Sequence, residues 1–223
     1  VLLVCIGKAT KLAEELQSHE KEYIAGVTFG ATTPSYDLEK EIDRFFPHEH
    51  ITAEAVQDAL PAFLGEQDQI APLFSAKSVD GVRAYELARK LYRDNPDNAS
   101  ELDATAESLI RVAKINITEL ELKEFCPSKE TVIRTAPASS EEADSSKDAS
   151  SRINVTDNSA LGLPRAVIRI ACSKGTYVRA FARDLGEALD SGAHLDSLQR
   201  SRSGIFKVEE ALSIEEALEK LVQ

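Results

Sequence analysis

The stretch CSKGTYVRAFARDLG, from Cys172 to Gly186, reads as the end of a strand, a tight turn and an amphipathic helix with an awkward cation in its first turn. Val178, Phe181, Ala182, Leu185 and Leu189 fall on one helical face, and Thr176 stands where an N-cap is expected. Arg179 has Gly175, Thr176, Ala182 and Arg183 three and four residues away, so it meets no acid and one like charge. The helix dipole also disfavours a cation this near the N-terminus, by about 0.3–1 kcal/mol. A distant carboxylate or phosphate held by the guanidinium fork would resolve the conflict; a solvated arginine lying along the surface is the alternative. Arg183 has Glu187 one turn later and is expected to form an ordinary surface pair. SKGT ahead of a helix could hold a phosphate on its N–H groups, but it lacks the longer Gly-rich run of a P-loop.

Metal chemistry finds little support. His48 and His50 share an acidic loop with no third ligand in sight, so both are expected to be surface residues. His194 is expected to be structural. Cys5, Cys126 and Cys172 form no C-x-x-C pair and signal neither a zinc site nor a disulfide framework. A reducing cytoplasm is the simplest compartment, and no apolar run approaches the ~20 residues a bilayer requires.

The 223 residues carry a net charge of −12, which argues against a generic nucleic-acid binder. Charge is unevenly placed: from Arg165 to Lys207, eight basic residues face four acids. Such a segment either steers a polyanion locally or merely solvates an exposed face.

Residues 1–6 read as a buried strand, followed by a helix over 9–18 with Leu12, Ala13 and Leu16 on one face. The segment KEYIAGVTFG alternates as a strand. Thr52 caps a helix with Val56, Leu60, Phe63 and Leu64 inward. LFSAKSVDGVRAYELARKLYR reads as a short strand, a turn at Asp80-Gly81 and a helix with Tyr85, Ala88 and Leu91 or Tyr92 inward. LIRVAKINITELELKEF is one long strand or a bent pair. AVIRIAC is another strand, and Ser213 with Glu216 forms a capping box on the last helix. Residues 135–160 are polar and acidic with almost nothing to bury, so a disordered excursion within one domain spanning 1–223 is expected. The pattern predicts an α+β fold on a mixed, largely antiparallel sheet flanked by helices. The chain opens within the apolar run VLLVCIG and contains no methionine; the expectation is that sequence upstream of Val1 is missing.

Several segments in order resemble the TruB-type pseudouridine synthases: CIGKATKL, KEYIAGVTFGATTPSYD, FSAKSVDGVRAYELARK, CSKGTYVRAFARDLGEAL and GAHLDSLQRSRSGIF. The resemblance implies the pseudouridine synthase fold and isomerisation of a uridine in the T-arm of tRNA, at position 55, without metal or organic cofactor. The N-glycosidic bond breaks, the ribose rejoins C5, and the base is flipped into a pocket for this purpose. It implies that Arg179 pairs with a catalytic aspartate in a motif like H-x-G-x-L-D-P-x-A-x-G. That motif is absent here, so the partner of Arg179 is expected to lie outside this chain. Tyr23 matches the tyrosine that stacks on the uracil, although taken alone it reads as a core tyrosine. Tyr177 and Leu198 match pocket-lining positions, Lys21 a basic residue before the tyrosine, and Asp37 the acid of the T-x-T-x-D loop, where Lys40 replaces the usual glycine. Ser75 and Ala76 match a short pocket wall. No appended C-terminal RNA-binding domain is expected. A non-catalytic RNA-binding or tRNA-chaperone protein on the same fold is the rival reading, and a phosphate-binding enzyme using the SKGT turn is a third.

Overall fold

A computed structural model describes residues 1–75, 78–79, 82–94, 112–127 and 161–222. The strands are β1 (Lys21–Phe29), β2 (Ala31–Thr32), β3 (Arg44–Phe45), β4 (Gly65–Gln69), β5 (Ser78–Val79), β6 (Val82–Arg83), β7 (Ala113–Cys126), β8 (Arg165–Cys172), β9 (Ala193–Ser203) and β10 (Phe206–Lys207). The α-helices are α1 (Ala13–Ser18), α2 (Ala53–Ala59), α3 (Ala84–Asp94), α4 (Val178–Ala188) and α5 (Ile214–Val222). Six strands form one sheet in the order β10-β9-β1-β8-β7-β4, and β2-β3 and β5-β6 form two small ribbons. Every described strand pair is antiparallel, within the expected α+β class.

The two faces of the sheet follow from period-2 patterning. Ala25, Val27 and Phe29 of β1 and Ala166, Ile168 and Ile170 of β8 point to one side and are fully buried. Against them pack Val178, Phe181, Ala182 and Leu185 of α4, with Val56 of α2 and Leu60 just beyond it. The ring of Phe63 meets that of Phe181 edge-on at 5.4 Å. The outer face is polar. There Arg169 of β8 reaches Glu22 at 3.0 Å, Glu119 at 2.8 Å and Glu121 at 2.9 Å, so one guanidinium ties three strands. A second apolar cluster, Ala71, Leu73, Phe74, Ala84 and Ala88 with Leu91, Tyr92 and Tyr177, sets the 71–74 segment and α3 beside the start of α4.

Several expectations are revised. Residues 1–6 are extended but belong to no strand of the sheet. They are apolar on both faces yet covered on one only, so Leu2 and Val4 are about three-quarters exposed. The helix expected over 9–18 begins as a 3₁₀ turn, Gly7–Leu12, and buries no residue. Leu64 points outward rather than into the core. The long β-branched stretch is a single strand, β7, with register shifts at Ile117/Glu119 and Leu122/Glu124. The N-cap of α4 is Tyr177; the Thr176 hydroxyl donates instead to Ser173 O at 3.0 Å. The Thr52 cap and the Ser213/Glu216 capping box form as expected. The Asp80-Gly81 turn, Ala76 and the 135–160 excursion lie outside the described residues.

Helix α4 reaches the sheet through Gly186. A Cβ there would stand 2.6 Å from Ala193 N and 2.8 Å from Gly192 C, so it would press on the peptide that opens β9, which is backbone and cannot swing aside. Gly186→Ala is therefore expected to lower stability by about 1–3 kcal/mol, an overpacking cost, read as a lower urea midpoint at unchanged slope.

Candidate active-site cleft

Arg179 leaves the first turn of α4 half-buried, with its side chain 21% exposed, and its guanidinium spans two other segments. Nη1 donates to Ser35 O at 3.1 Å and to Asp37 Oδ2 at 3.0 Å, and Nη2 donates to Phe74 O at 2.7 Å. The expectation that no carboxylate of this chain serves Arg179 is thus corrected: Asp37 does. The two are 142 residues apart in sequence, so no helical spacing rule could pair them.

Asp37 is presented by a tightly bonded loop. Tyr36 adopts φ 56°, a left-handed conformation rare for a bulky side chain, and turns the chain so that Asp37 faces α4. Tyr36 N donates to Thr33 O at 3.0 Å, and the Thr33 hydroxyl donates to Asp37 O at 2.7 Å. Asp37 Oδ1 accepts from the Ser35 hydroxyl at 2.6 Å and from Glu39 N at 3.0 Å. The carboxylate is therefore fixed by charge-assisted bonds on both oxygens.

Beside this pair opens a cleft of about 370 Å³, lined by Asp37, Leu38, Glu39 and Arg179 on one side and by Leu195, Asp196, Ser197 and Leu198 of β9 on the other. The volume lies within the ~300–1,000 Å³ of small-molecule sites. Leu198 is about half exposed there. Leu198 stands opposite Ala25 in the ladder, and Tyr23 opposite Arg200, so Tyr23 and Leu198 are diagonal neighbours on one sheet face. Burial pushes the Tyr23 phenol above its ordinary pKa, although nearby Arg200 opposes the shift. β9 is held by its other side: Arg165 grips Asp196 with two bonds, at 2.7 and 2.9 Å, and the Thr28 hydroxyl donates to Asp196 at 2.6 Å.

Three expected site residues, Asp37, Arg179 and Leu198, line this cleft. Tyr23 shares the sheet face of Leu198. Ser75 and Tyr177 flank the cleft without lining it. Ser75 is buried next to Phe74, and its hydroxyl has no partner among the described residues. Tyr177 is held by Gln69, which accepts from its N–H at 2.8 Å and donates to its carbonyl at 3.2 Å. Lys21 is elsewhere. It is buried, its ammonium donates to the carbonyls of Gln17 and His19, and burial lowers its pKa. It lines a separate hollow with Leu3, Cys5, Leu16 and Arg200. His194 is fully buried with Nδ1 2.9 Å from Ala31 O. No group of three or more His, Cys, Asp or Glu able to hold a metal exists among the described residues, and none of the helices searched there is long and apolar enough to cross a membrane.

Sequence reasoning misjudged Arg183 and the basic segment. The Arg183 side chain is only 16% exposed, not a surface pair: it bonds Asp184 at 2.7 Å and lies over the Tyr36 ring at 5.3 Å. Arg165, Arg169, Arg179 and Arg202 are likewise engaged by acids, and Arg200 donates to the Val1 carbonyl at 2.7 Å, so these arginines neither form a free basic face nor merely solvate one. Gln69 and the Phe74 carbonyl carried no sequence signal, since their roles arise from packing of remote segments.

This sheet is that of the pseudouridine synthase fold. Residues 1–135 match the TruB family pseudouridylate synthase (N terminal domain), and the fold is shared with a chain of a solved Cbf5-Nop10-Gar1 complex at TM-score 0.50 and 19% identity, over 94% of this chain and 38% of that one. The chain belongs to the TruB family. It is 44% identical to the tRNA pseudouridine synthase B of Phocaeicola vulgatus over 223 residues, all of this chain and 74% of that protein. It is also 44% identical to the tRNA pseudouridine synthase B of Bacteroides fragilis over 212 residues, 95% of this chain and 70% of that protein.

Asp37→Ala would strand a half-buried guanidinium. Chemical denaturation is expected to show a loss of about 1.5–3 kcal/mol, the scale of a hydrogen bond to a charged group. Spectrophotometric titration should show the phenol missing from Tyr23→Phe ionising above the ordinary value of about 10. The sign follows from linkage: above that value the unfolded chain releases the Tyr23 proton before the folded one, so Tyr23 lowers stability as pH rises further.

Proposed function

We propose that the full-length protein isomerises uridine to pseudouridine in tRNA, at position 55 of the T-arm, with the cleft between Asp37 and Leu198 receiving the flipped base. The observation that carries this reading is the Arg179–Asp37 pair at the lip of that cleft, in a chain of the TruB family. Leu198 and Leu195 supply the apolar wall a uracil needs once it leaves its stack. Tyr23, whose phenol is pushed by burial further above its ordinary pKa, is the ring to stack on the base and the hydroxyl to hold a proton near it.

Arg179 has capacity left for a second acid. Asp37 and Ser35 take Nη1 and Phe74 takes one hydrogen of Nη2. Nε and the other Nη2 hydrogen bond nothing among the described residues, and an arginine edge of this kind accepts a carboxylate side-on. In this reading that carboxylate is the nucleophilic aspartate of the H-x-G-x-L-D-P motif, which does not occur within the 223 residues. A guanidinium already anchored by Asp37 and two carbonyls holds the nucleophile ionised and aimed at the sugar. The N1–C1′ bond breaks and a C5–C1′ bond forms; C5 gives up its proton to solvent or a nearby base and N1 takes one up, so the product is an isomer and no oxidant is needed.

The test is conversion of uridine in a T-arm stem-loop, followed by tritium release from C5. The 223-residue chain is expected to bind without turning over, and a chain carrying the motif upstream is expected to convert the RNA. Arg179→Ala in that longer chain should lower the rate by at least ~100-fold, the scale of losing one preorganised electrostatic partner. Turnover by the 223 residues alone would refute the assignment of the nucleophile. Tight binding with no turnover by the longer chain would favour a non-catalytic RNA-binding role.

A further inference from the structure

The arginine one turn below Arg179 repeats its geometry. Arg179 and Arg183 are i, i+4 on α4 and so share a helix face. Arg179 joins the 33–37 loop, through Ser35 and Asp37, to the 70–75 segment, through the Phe74 carbonyl. Arg183 joins the same two stretches of chain: its guanidinium covers the Tyr36 ring at 5.3 Å and its Nη2 donates to Ile70 O at 3.3 Å. The second rung is the deeper one, and Asp184 neutralises it at 2.7 Å.

What Arg183 covers is the strained residue of the loop. Tyr36 is 6% exposed and holds φ 56°, one of two non-glycine residues with positive φ among those described. Such a conformation persists only where its surroundings over-determine it. Its carbonyl accepts from Leu195 N at 3.0 Å, on the opposite wall of the cleft, and its neighbour is Asp37. If the ring moved, the Asp37 carboxylate and the Leu195 wall would move together.

We propose that Arg183 is a positioning residue for the reaction: by lying over the Tyr36 ring and hydrogen-bonding its side chain it locks the left-handed turn that aims Asp37 at Arg179. The proposal rests on the pseudouridine synthase reading above for its catalytic consequence, but not for its structural one. Arg183 does not line the cleft and acts through Tyr36.

Two measurements on the full-length protein test it. The first is a double-mutant cycle on T-arm conversion, at temperatures where circular dichroism shows every variant folded. Arg183→Met is expected to lower kcat by ~100-fold, the scale of a 1 Å misplacement, with a smaller change in KM. Arg183→Lys, which keeps charge but loses the planar fork, should fall between Arg183→Met and wild type. In an Asp37→Asn background Arg183→Met should cost far less than in wild type. An equal cost in both backgrounds overturns the proposal. The second measurement needs no activity. The Glu39 amide, held by Asp37, should lose hydrogen-exchange protection in Arg183→Met while the Leu185 amide of α4 keeps its own. Unchanged protection at Glu39 overturns the proposal even if the RNA is never turned over; a wild-type protein that converts no uridine while Glu39 responds as expected overturns only the functional reading. Should Arg183→Met fail to fold, Tyr36→Leu removes the contact from the other side and must give the same Glu39 signature.

Discussion

One guanidinium holds three pieces of chain at one point. Arg179 starts from a helix end whose dipole opposes it, so the arrangement stands only because Asp37 and two carbonyls return more than that local penalty. The bonds are partly shielded from water, which strengthens them and makes the loss of any single partner costly. The loop bearing Asp37 and the stretch ending at Phe74 meet each other across this side chain. Without it, the bridge through Arg183 described above would still join the two.

The site is a composite of elements with different stiffness. The β9 wall is anchored from behind by the two-bond grip of Arg165 on Asp196, while Gly26 leaves the space that grip occupies: a Cβ there would lie 2.2 Å from the Arg165 guanidinium. The opposite wall is a loop with a left-handed tyrosine at its apex, supported from the helix beneath. A pocket made of one rigid wall and one propped wall has its shape set by the prop. The proposed placing of a flipped base against a carboxylate would be sensitive to that setting.

Legibility in the sequence tracked how local each interaction was. The strands β1, β8 and the long β7 were visible because alternation is a property of neighbours, and the caps at Thr52 and Ser213 because capping spans three residues. The conflict at Arg179 was visible for the same reason, since its helical neighbours are close in sequence. Its resolution was not, because Asp37 arrives from a loop that only the three-dimensional fold brings near. The resemblance marked both residues without showing that they touch. Arg183 was misjudged because an acid at the favoured helical spacing is a local pattern, whereas the ring of Tyr36 and the carbonyl of Ile70 are not. The first six residues were misjudged because uniform apolarity indicates burial on two faces, and the fold covers one.

The three-carboxylate harness around Arg169 bears on how a large polyanion can come near. That guanidinium has spent its donors on glutamates from two strands, β1 and β7, and Lys123 is committed to Glu121 at 3.0 Å beside them. A phosphate backbone drifting toward this side would find carboxylates with their countercharge already committed, and would be turned away over the few ångströms that salt leaves unscreened. For the RNA-modifying reaction proposed above, such repulsion from behind would favour approach from the side that carries the cleft, so that an acidic protein would draw orientation from the very charge that weakens its overall pull.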